Sequence, residues 1–357
     1  TIGPNSATQA DDHFNAVLYT SDDIGAGGTQ SVTGVNFQPD FVWIKNRSSS
    51  STSHTLYDSP RGTGKHLSTD TTNAEVGANS EYGYLSAFGS DGFTLTGGST
   101  NANYINQSTD NYVSWNWKGG TTSGIDTTGQ DITPTSYSFN QDAGFSVVAY
   151  TGNKTDEQGV PHGLGAKPDL VIIKDRDNGS TQWVIAVPQI SGNDYLYFLT
   201  DAISSDSGNV FYFTPTTTTV EISDHDEVNK NSTKYVMYCF RSIEGYSKVS
   251  TYTGNGSTDG TYVYTGFRPR WLLIKTTSTV NRWVLFDSKR SSTNPVEEKH
   301  ELNPNDDSPE DTSGTDCFDF LSNGFKLLRT GDVFNTSGHT YIYMAFAEIP
   351  FKYANAR

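Results

Sequence analysis

The chain has 357 residues, with 24 Lys and Arg against 40 Asp and Glu, which gives a formal net charge of -16. This charge disfavours nucleic acid and anionic membranes as partners, and two cysteines are too few for a disulfide framework. The length predicts two or three domains. An aromatic content of 13%, 34 glycines and the lack of long helical or membrane-spanning patterns predict a β-rich protein.

A first β unit is predicted over 13–120, after an N-terminal arm at 1–12. The unit opens with YTS at 19–21 and enters an apolar run, FVWIK, at 41–45. It closes with an aromatic strand, YVSWNW, at 112–117. Short apolar runs bounded by turn residues are typical of strands that are buried on both faces.

A second unit, predicted over 145–245, repeats this order. It has YTG at 150–152, LVIIK at 170–174 and YVMYCF at 235–240. The preceding residues, 121–144, are rich in Gly, Thr and Ser and are predicted to form an extended linker. We therefore expect a freer hinge before this unit.

The third unit, predicted over 246–357, follows a short junction and repeats the order again. It has YTG at 252–254, WLLIK at 271–275 and YIYMAF at 341–346. In all three units a lysine lies six residues after a proline. Such self-similarity predicts one supersecondary unit that is written three times, with firm packing between the second and third copies.

The apolar strand of the third unit indicates how each unit folds. Trp271, Leu273 and Lys275 share one face of the strand, and Leu272 and Ile274 share the other. Because both faces are apolar, the strand should be central and covered on both sides, with the lysine emerging at its end. We predict an all-β chain of three tandem β-sandwich repeats, jelly-roll or lectin-like, of about 100 residues each. One closed body with pseudo-threefold symmetry is the alternative, which the long linker disfavours.

Further marks are shared only by the first and third units. Asp58-Ser59-Pro60-Arg61 matches Asp287-Ser288-Lys289-Arg290, and Gly92-Phe93 matches Gly324-Phe325. The middle unit lacks both marks, although its Trp183 answers Trp283 of the third unit. Any role tied to these marks is therefore not expected in the middle unit.

Several phrases carry a resemblance to a known family: FQPDFVWIKNRS, LYDSPRG, SDGFTL, HGLGAKPDLVIIKDR, YTGNGS, YTGFRPRWLLIK, LSNGFK and TYIYMAFAEIPFKYANAR. From residue 13 to 357 the chain resembles a repeated domain of unknown function in virion structural proteins of tailed, often marine, bacteriophages. The resemblance implies a non-enzymatic role in a tail fibre, a tail or another virion surface. It identifies no catalytic or binding residue.

Catalytic and cofactor motifs are not evident in the sequence, which has no HExxH, no Gly-x-Ser-x-Gly and no phosphate-binding loop. We therefore predict no enzyme activity and no cofactor. One acidic cluster could offer oxygen ligands to Ca²⁺, although it lacks the glycine and the distal glutamate of a calcium-hand loop. We predict no metal site and favour an exposed acidic hairpin, with the Ca²⁺ site as the alternative, for these residues: Asp224, Asp226, Glu227 and Asn229.

Aromatic residues outside the predicted strands leave a carbohydrate-binding function open. They could be sugar platforms or edge packing: Tyr82, Tyr84, Tyr104, Tyr195 and Tyr197. Carboxylates from distant loops could also form a glycosidase site that sequence does not reveal, so a polysaccharide depolymerase is a remoter alternative.

The function predicted from the sequence is that of a non-enzymatic structural protein on the exterior of a phage particle. Its expected partners are copies of itself, with a trimer as one option, and other virion proteins. A host-surface glycan is a further candidate partner. The leading alternative is a lectin-like receptor-recognition module.

Overall fold

The computed structural model of the protein describes residues 9–100, 105–107, 109–190, 194–199, 215–291, 300–313 and 317–348. The predicted all-β class is confirmed, because the described chain consists of antiparallel sheets joined by loops. Helical structure among these residues is limited to a 3-10 turn at Ala10–Asp12 and the short helix α1 at Asp226–Asn229.

The first large sheet has the strand order β1-β8-β3-β4-β5 and packs on a small sheet of order β2-β7-β6. Apolar side chains of the two sheets, including Ile44 and Phe93, form a core between them. The strands are β1 Phe14–Thr20, β2 Thr29–Thr33, β3 Phe41–Asn46, β4 Thr55–Asp58, β5 Leu67–Ser68, β6 Tyr84–Gly89, β7 Gly92–Thr96 and β8 Asn111–Trp117. These elements form the first sandwich.

The second sandwich combines a large sheet of order β14-β13-β12-β16-β10-β9 with the two-stranded sheet β11-β15. Val171 and Val220 are among the residues of the core between them. The strands are β9 Ser136–Asn140, β10 Phe145–Thr151, β11 Gln158–Pro161, β12 Leu170–Asp175, β13 Trp183–Ala186, β14 Tyr195–Tyr197, β15 Thr219–Ile222 and β16 Lys234–Phe240.

The third sandwich combines a large sheet of order β17-β23-β19-β20 with a small sheet of order β18-β22-β21. Phe286 of the large sheet packs edge-on against Phe318 of the small sheet, with ring centroids 4.5 Å apart. The strands are β17 Ser247–Thr253, β18 Tyr262–Tyr264, β19 Pro269–Thr276, β20 Val284–Asp287, β21 Phe318–Leu321, β22 Gly324–Leu327 and β23 Thr340–Ala347.

The three large sheets have a common strand order. In each sheet the closing strand lies between the opening strand and the apolar strand. The apolar strand in turn pairs with the strand that follows it along the chain. The three matching orders are β1-β8-β3-β4, β10-β16-β12-β13 and β17-β23-β19-β20. This order places the repeated sequence phrases at matching positions in the three sheets.

One apolar core joins the three large sheets. Trp117 of the first sheet packs on Trp271 of the third, with ring centroids 5.6 Å apart. The ring centroid of Phe41 lies 4.7 Å from that of Tyr238 in the second sheet. A sandwich normally leaves the outer faces of its sheets to solvent, whereas here the second face of each large sheet is covered by the other two. The described sandwiches therefore pack as one body and not as separate beads.

The segment predicted as a linker, 121–144, contains a strand. Residues 136–140 form β9, which pairs with β10, and Thr121 forms a bridge with Phe139. Ser136 Oγ also donates to the carbonyl oxygen of Pro60 (2.8 Å) in the first sandwich. The Ser and Thr content had suggested a loop, but the alternation of Ser138 and Phe139 with their neighbours suits an edge strand. The expected free hinge before the second sandwich is not seen.

Candidate functional site

The repeated lysines are fully buried, and this corrects the expectation that they emerge at a strand end. Lys45 Nζ donates to the main-chain oxygens of Thr52 (2.5 Å) and Asp307 (3.0 Å), and Asp307 belongs to the third sandwich. Burial lowers the pKa of Lys45 to about 8. The lysine is covered because a loop of the neighbouring sandwich closes over the end of its strand.

Lys174 repeats this contact in the second sandwich. Its Nζ donates to the main-chain oxygens of Thr181 (2.8 Å) and of Thr72 (2.9 Å), which lies in the first sandwich. Burial lowers the pKa of Lys174 to about 8. Lys275 of the third sandwich donates to the main-chain oxygen of Thr276 (3.0 Å). Lys45 thus ties the first sandwich to a loop of the third, and Lys174 ties the second sandwich to a loop of the first.

A buried ion network lies where the first sandwich meets the second. Arg61 Nε pairs with Asp58 Oδ2 (2.5 Å), and both side chains are fully buried. Arg61 Nη1 also pairs with Glu75 (3.0 Å), which in turn pairs with Arg176 Nε (2.8 Å) of the second sandwich. The hydroxyl of Tyr238, also from the second sandwich, donates to Asp58 Oδ2 (2.7 Å). We call these residues the first ion network.

A second ion network has the same design where the third sandwich meets the first. Arg290 Nε pairs with Asp287 Oδ2 (2.6 Å), and Arg290 Nη1 pairs with Glu310 (2.8 Å). Glu310 accepts a further bond from Arg47 Nη2 (2.7 Å) of the first sandwich. Trp115 Nε1 donates to Asp287 Oδ2 (2.9 Å) from the position that Tyr238 occupies in the first ion network.

The glutamates of both networks remain ionised because arginines surround them. Burial alone would raise the pKa of Glu75, but hydrogen bonding by Arg176 and the charge of Arg61 lower it below its ordinary value. Burial opposes ionisation of Glu310 in the same way, and Arg290 and Arg47 lower its pKa. A buried ion pair is stable only when its charges are hydrogen-bonded, and these networks meet that condition.

Where the second and third sandwiches meet, apolar side chains occupy the positions that hold the ion networks at the other two contacts. Counting from Trp183 and Trp283, Val187 stands where the third sandwich has Asp287, and Ile190 stands where it has Arg290. Met344 occupies the place of Trp115 in the closing strand. All three side chains belong to the central core. The second sandwich lacks the Asp-Ser-x-Arg mark, and the third sandwich correspondingly places the apolar Met344 at this point.

A tryptophan marks this contact as well. Trp283 Nε1 donates to the main-chain oxygen of Tyr197 (2.8 Å) in the second sandwich. Trp183 Nε1 makes the matching bond to the main-chain oxygen of Ser68 (2.8 Å) in the first sandwich. These tryptophan bonds run from the second sandwich to the first and from the third to the second, and the bond from Lys45 to Asp307 runs from the first to the third, so that together these contacts close a ring.

The four residues predicted as a calcium candidate lie around helix α1, and protein groups already engage their oxygens. Lys154 Nζ donates to the main-chain oxygen of Asp224 (2.6 Å) and to Asp226 Oδ1 (2.7 Å). The Tyr197 hydroxyl donates to Glu227 Oε2 (2.9 Å). Across the described ranges, no group of three or more His, Cys, Asp or Glu residues could hold a metal ion. The acidic hairpin without metal stays the prediction, and the calcium site stays its alternative.

Asn229 has a structural role that recurs in the chain. Its Oδ1 accepts from the main-chain N–H of Asn153 (2.8 Å), and its Nδ2 donates to the main-chain oxygen of Thr155 (2.7 Å). Asn335 makes the same two bonds, to Asn255 N (3.0 Å) and to the main-chain oxygen of Ser257 (2.9 Å). These bonds hold the YTGN turns of the second and third sandwiches.

Sequence reasoning named Asn229 only as a calcium candidate and missed its recurrence, although a signal was present. A buried asparagine follows an apolar residue and lies six residues before the first tyrosine of each closing strand: Asn106 before Tyr112, Asn229 before Tyr235 and Asn335 before Tyr341. The closing tyrosine stacks on the tyrosine of the opening strand, with ring centroids 5.0 to 5.2 Å apart in the three copies.

The tyrosines predicted as sugar platforms or edge packing are half-buried where the structure describes them: Tyr82, Tyr84, Tyr195 and Tyr197. Tyr195 and Tyr197 pack edge to face with ring centroids 5.2 Å apart, which indicates edge packing. Tyr104 lies outside the described residues. Among the tyrosines that the structure describes, the most exposed are instead Tyr262 and Tyr264, which sequence reasoning did not single out.

Neither cysteine has the setting of a reactive thiol. Cys239 and Cys317 are both buried and unbridged. Burial raises the pKa of the Cys239 thiol well above its ordinary value, so the nucleophilic thiolate is not formed near neutral pH. Both side chains belong to the buried apolar clusters, and Cys317 Sγ also accepts a bond from Arg329 Nη1 (3.8 Å).

Comparison with known proteins gives one family and no closer relative. A family described as a domain of unknown function, DUF7483, matches residues 9–350. No curated protein and no solved structure matches the chain. Within the described residues, no helix is long and apolar enough to span a lipid bilayer.

Proposed function

We propose, from the premise that the chain belongs to the DUF7483 family, that it is a non-enzymatic structural protein on the exterior of a bacteriophage particle. It would serve in a tail fibre, a tail or the capsid surface. The resemblance of its repeated phrases to virion structural proteins supports this proposal. The proposal does not rest on any catalytic residue.

The observation that carries the proposal is that the recurring charged residues pair with one another inside the molecule. The Asp-Arg pairs at 58–61 and 287–290 are fully buried and join neighbouring sandwiches through Glu75 and Glu310. Charged groups that are paired and buried in this way fix the geometry of the contact between sandwiches and are not accessible to solvent or to a substrate. A body whose sandwiches are joined by many ion pairs and hydrogen bonds suits a structural component that must keep its shape on a particle.

Assembly with further copies of the chain is part of the proposal. Virion surfaces gain strength and avidity by repeating one subunit under closed symmetry, for which a trimer is one option. Light scattering on the purified chain would measure this directly, with a discrete oligomer as the expected result. A chain that stays monomeric at all concentrations and alone on the particle would contradict the self-assembly part.

Location on the particle is the decisive test of the proposal. Phage particles purified by density gradient would be labelled with gold-conjugated antibody raised against the chain and viewed by electron microscopy. We expect gold at the tail or on the capsid surface, and the two patterns separate those locations. Absence of the chain from purified particles by mass spectrometry would overturn the proposal.

A further inference from the structure

The outer face of the small sheet β18-β22-β21 carries two exposed tyrosines. The side chain of Tyr262 is 44% exposed and that of Tyr264 is 58% exposed. Val263, between them, points the other way and is buried against the core with Phe325. Alternation along the strand therefore places both aromatic rings on the solvent side of the sheet.

The strand register defines what surrounds these rings. Tyr262 stands opposite Lys326, which stands opposite Asp319 on the third strand. Tyr264 stands opposite Gly324, which has no side chain and stands opposite Leu321. The face therefore combines two aromatic rings with charged groups, and the buried Gly324 leaves no room for a side chain because a Cβ there would meet the main-chain oxygen of Val263.

The first sandwich shows that the fold does not require these tyrosines. Its small sheet has the same register, because Gly92-Phe93 matches Gly324-Phe325. The row that matches Tyr262 is Ser31, Thr94 and Ala87, and the row that matches Tyr264 is Thr33, Gly92 and Gly89. The Tyr262 hydroxyl donates to the main-chain oxygen of Asn323 (3.4 Å), and Lys248 Nζ lies 5.4 Å from the Tyr264 ring centroid. Since small residues occupy the matching positions of the first sandwich, the fold itself does not require aromatic side chains here, and both remain exposed.

Charges around the face disfavour a second protein strand and favour a neutral ligand. Strand β18 lies at the edge of its sheet, but Lys248 Nζ donates to the main-chain oxygen of Tyr264 (3.0 Å) and so occupies one of the groups an added strand would need. Lys326 is paired with Asp259 (2.5 Å). The local charges thus largely compensate each other, in contrast to the acidic chain as a whole.

We propose that this face binds a neutral oligosaccharide. The apolar C–H face of a pyranose ring would stack on Tyr262 and Tyr264, while its hydroxyl groups would exchange hydrogen bonds with Lys326 and Asp259. A sugar ring has an apolar C–H face bordered by hydroxyl groups, so it complements an aromatic surface that lies beside hydrogen-bond donors and acceptors. The site is additional to the structural role proposed above and does not depend on where the chain sits in a particle.

A binding experiment with a matched variant tests the site. Maltohexaose, cellohexaose, laminarihexaose and chitohexaose would be titrated against the full chain by saturation-transfer NMR and calorimetry. The variant Tyr262→Ser with Tyr264→Thr installs the residues of the first sandwich, so it should fold. We expect binding of at least one neutral probe and an affinity at least about tenfold lower in the variant.

A control and the opposing outcomes complete the test. Val280→Ser removes another exposed apolar side chain, 66% exposed, and should leave sugar binding unchanged. The inference is overturned if none of the neutral probes binds, or if the double variant binds as tightly as the wild type. Loss of self-association in the double variant, without sugar binding by the wild type, would assign the face to a second copy. Gold labelling of particles decides the structural role separately.

Discussion

Tyr238 and Trp115 show how a single side chain couples two sandwiches. Each projects from a closing strand and donates to the buried aspartate of its neighbour, Asp58 or Asp287. A hydrogen bond to a buried charged group contributes more to stability than one between neutral groups, because burial prevents the carboxylate from bonding to water instead. The identity of this one residue therefore decides whether the neighbour can keep a buried ion pair.

Replacing Tyr238 with Phe should destabilise the protein. The change removes only the hydroxyl and leaves Asp58 with one donor fewer, which should lower the free energy of unfolding by about 1.5–3 kcal/mol. Chemical denaturation followed by tryptophan fluorescence would measure the loss.

Tyr246→Phe is the matched control. Tyr246 is also fully buried, yet within the described residues its hydroxyl has no hydrogen-bond partner. Removing that hydroxyl should be neutral or slightly stabilising. Equal effects of the two substitutions would contradict the importance of the bond to Asp58.

Buried histidines predict a loss of stability in mild acid. Burial lowers the pKa of His66 and of His162 to about 4, from an ordinary value of 6.5. Between these pH values the unfolded chain binds more protons than the folded chain, so stability present above pH 6.5 is lost as the pH falls towards 4. The upper limit is about 3 kcal/mol for each histidine.

Denaturant titrations at a series of pH values would follow this loss. We expect the free energy of unfolding to fall from pH 6.5 to pH 5, and the decline to be smaller in the double variant His66→Asn with His162→Gln. Below pH 4.5 the carboxylates of the ion networks add their own dependence. An unchanged slope in the double variant would rule out these histidines as its source.

At the scale of elements, one contact between sandwiches is built in two chemistries. The first ion network uses Asp58, Arg61 and Tyr238, whereas the matching positions between the second and third sandwiches are Val187, Ile190 and Met344. Buried ion pairs and apolar residues of similar volume can be close in stability, but a half-replaced pair cannot.

This comparison predicts a non-additive set of substitutions. Asp58→Val alone leaves the Arg61 guanidinium buried without its main partner and should cost about 3–5 kcal/mol. Adding Arg61→Ile and Tyr238→Met copies the apolar contact and should bring the free energy of unfolding back to within about 2 kcal/mol of wild type. Thermal and denaturant unfolding of both variants would decide. Additive losses in the triple variant would contradict the equivalence of the two contacts.

Helix α1 and the YTGN turn offer a second element to test. Asn229→Ala removes two buried hydrogen bonds and should lower the free energy of unfolding by about 2–3 kcal/mol. Because Lys154 and Tyr197 already engage the acidic oxygens nearby, we expect millimolar calcium to leave the melting temperature of the wild type unchanged. A rise of several degrees that Asp226→Asn abolishes would instead favour the calcium site.

For the whole molecule, the shared aromatic core predicts a single cooperative unfolding transition. Trp271 contacts Trp117 of the first sandwich and Phe346 of its own, and it is fully buried. Trp271→Ala should cost about 3–5 kcal/mol through lost burial and the cavity left behind. Because all three sandwiches share this core, the loss should lower one common transition.

Calorimetry would detect this behaviour, with Val280→Ala at an exposed site as the neutral control. The expected result is one peak that moves to lower temperature in Trp271→Ala. Two or three peaks, with only one of them shifted, would indicate that the sandwiches unfold as independent beads.

The sequence by itself determined the β class, the positions of the apolar and closing strands, and the order in which the strand phrases recur. These features depend on local patterns, because side chains alternate along a strand and turns need Gly, Asn or Pro. The runs at 41–45, 170–174 and 271–275 thus mark central strands, as the structure has them. The strand at 136–140 escaped notice because an edge strand rich in Ser resembles a loop.

Only the tertiary structure decided what the recurring polar residues do. Lys45 meets its partner oxygen 262 residues along the chain, and Arg47 meets Glu310 at 263. No local pattern specifies such pairs, since they form only when three sandwiches close around one core. For the same reason, the exposure of Tyr262 and Tyr264 could not be told from that of other tyrosines: whether a strand face meets solvent or a neighbour depends on packing between elements distant in sequence.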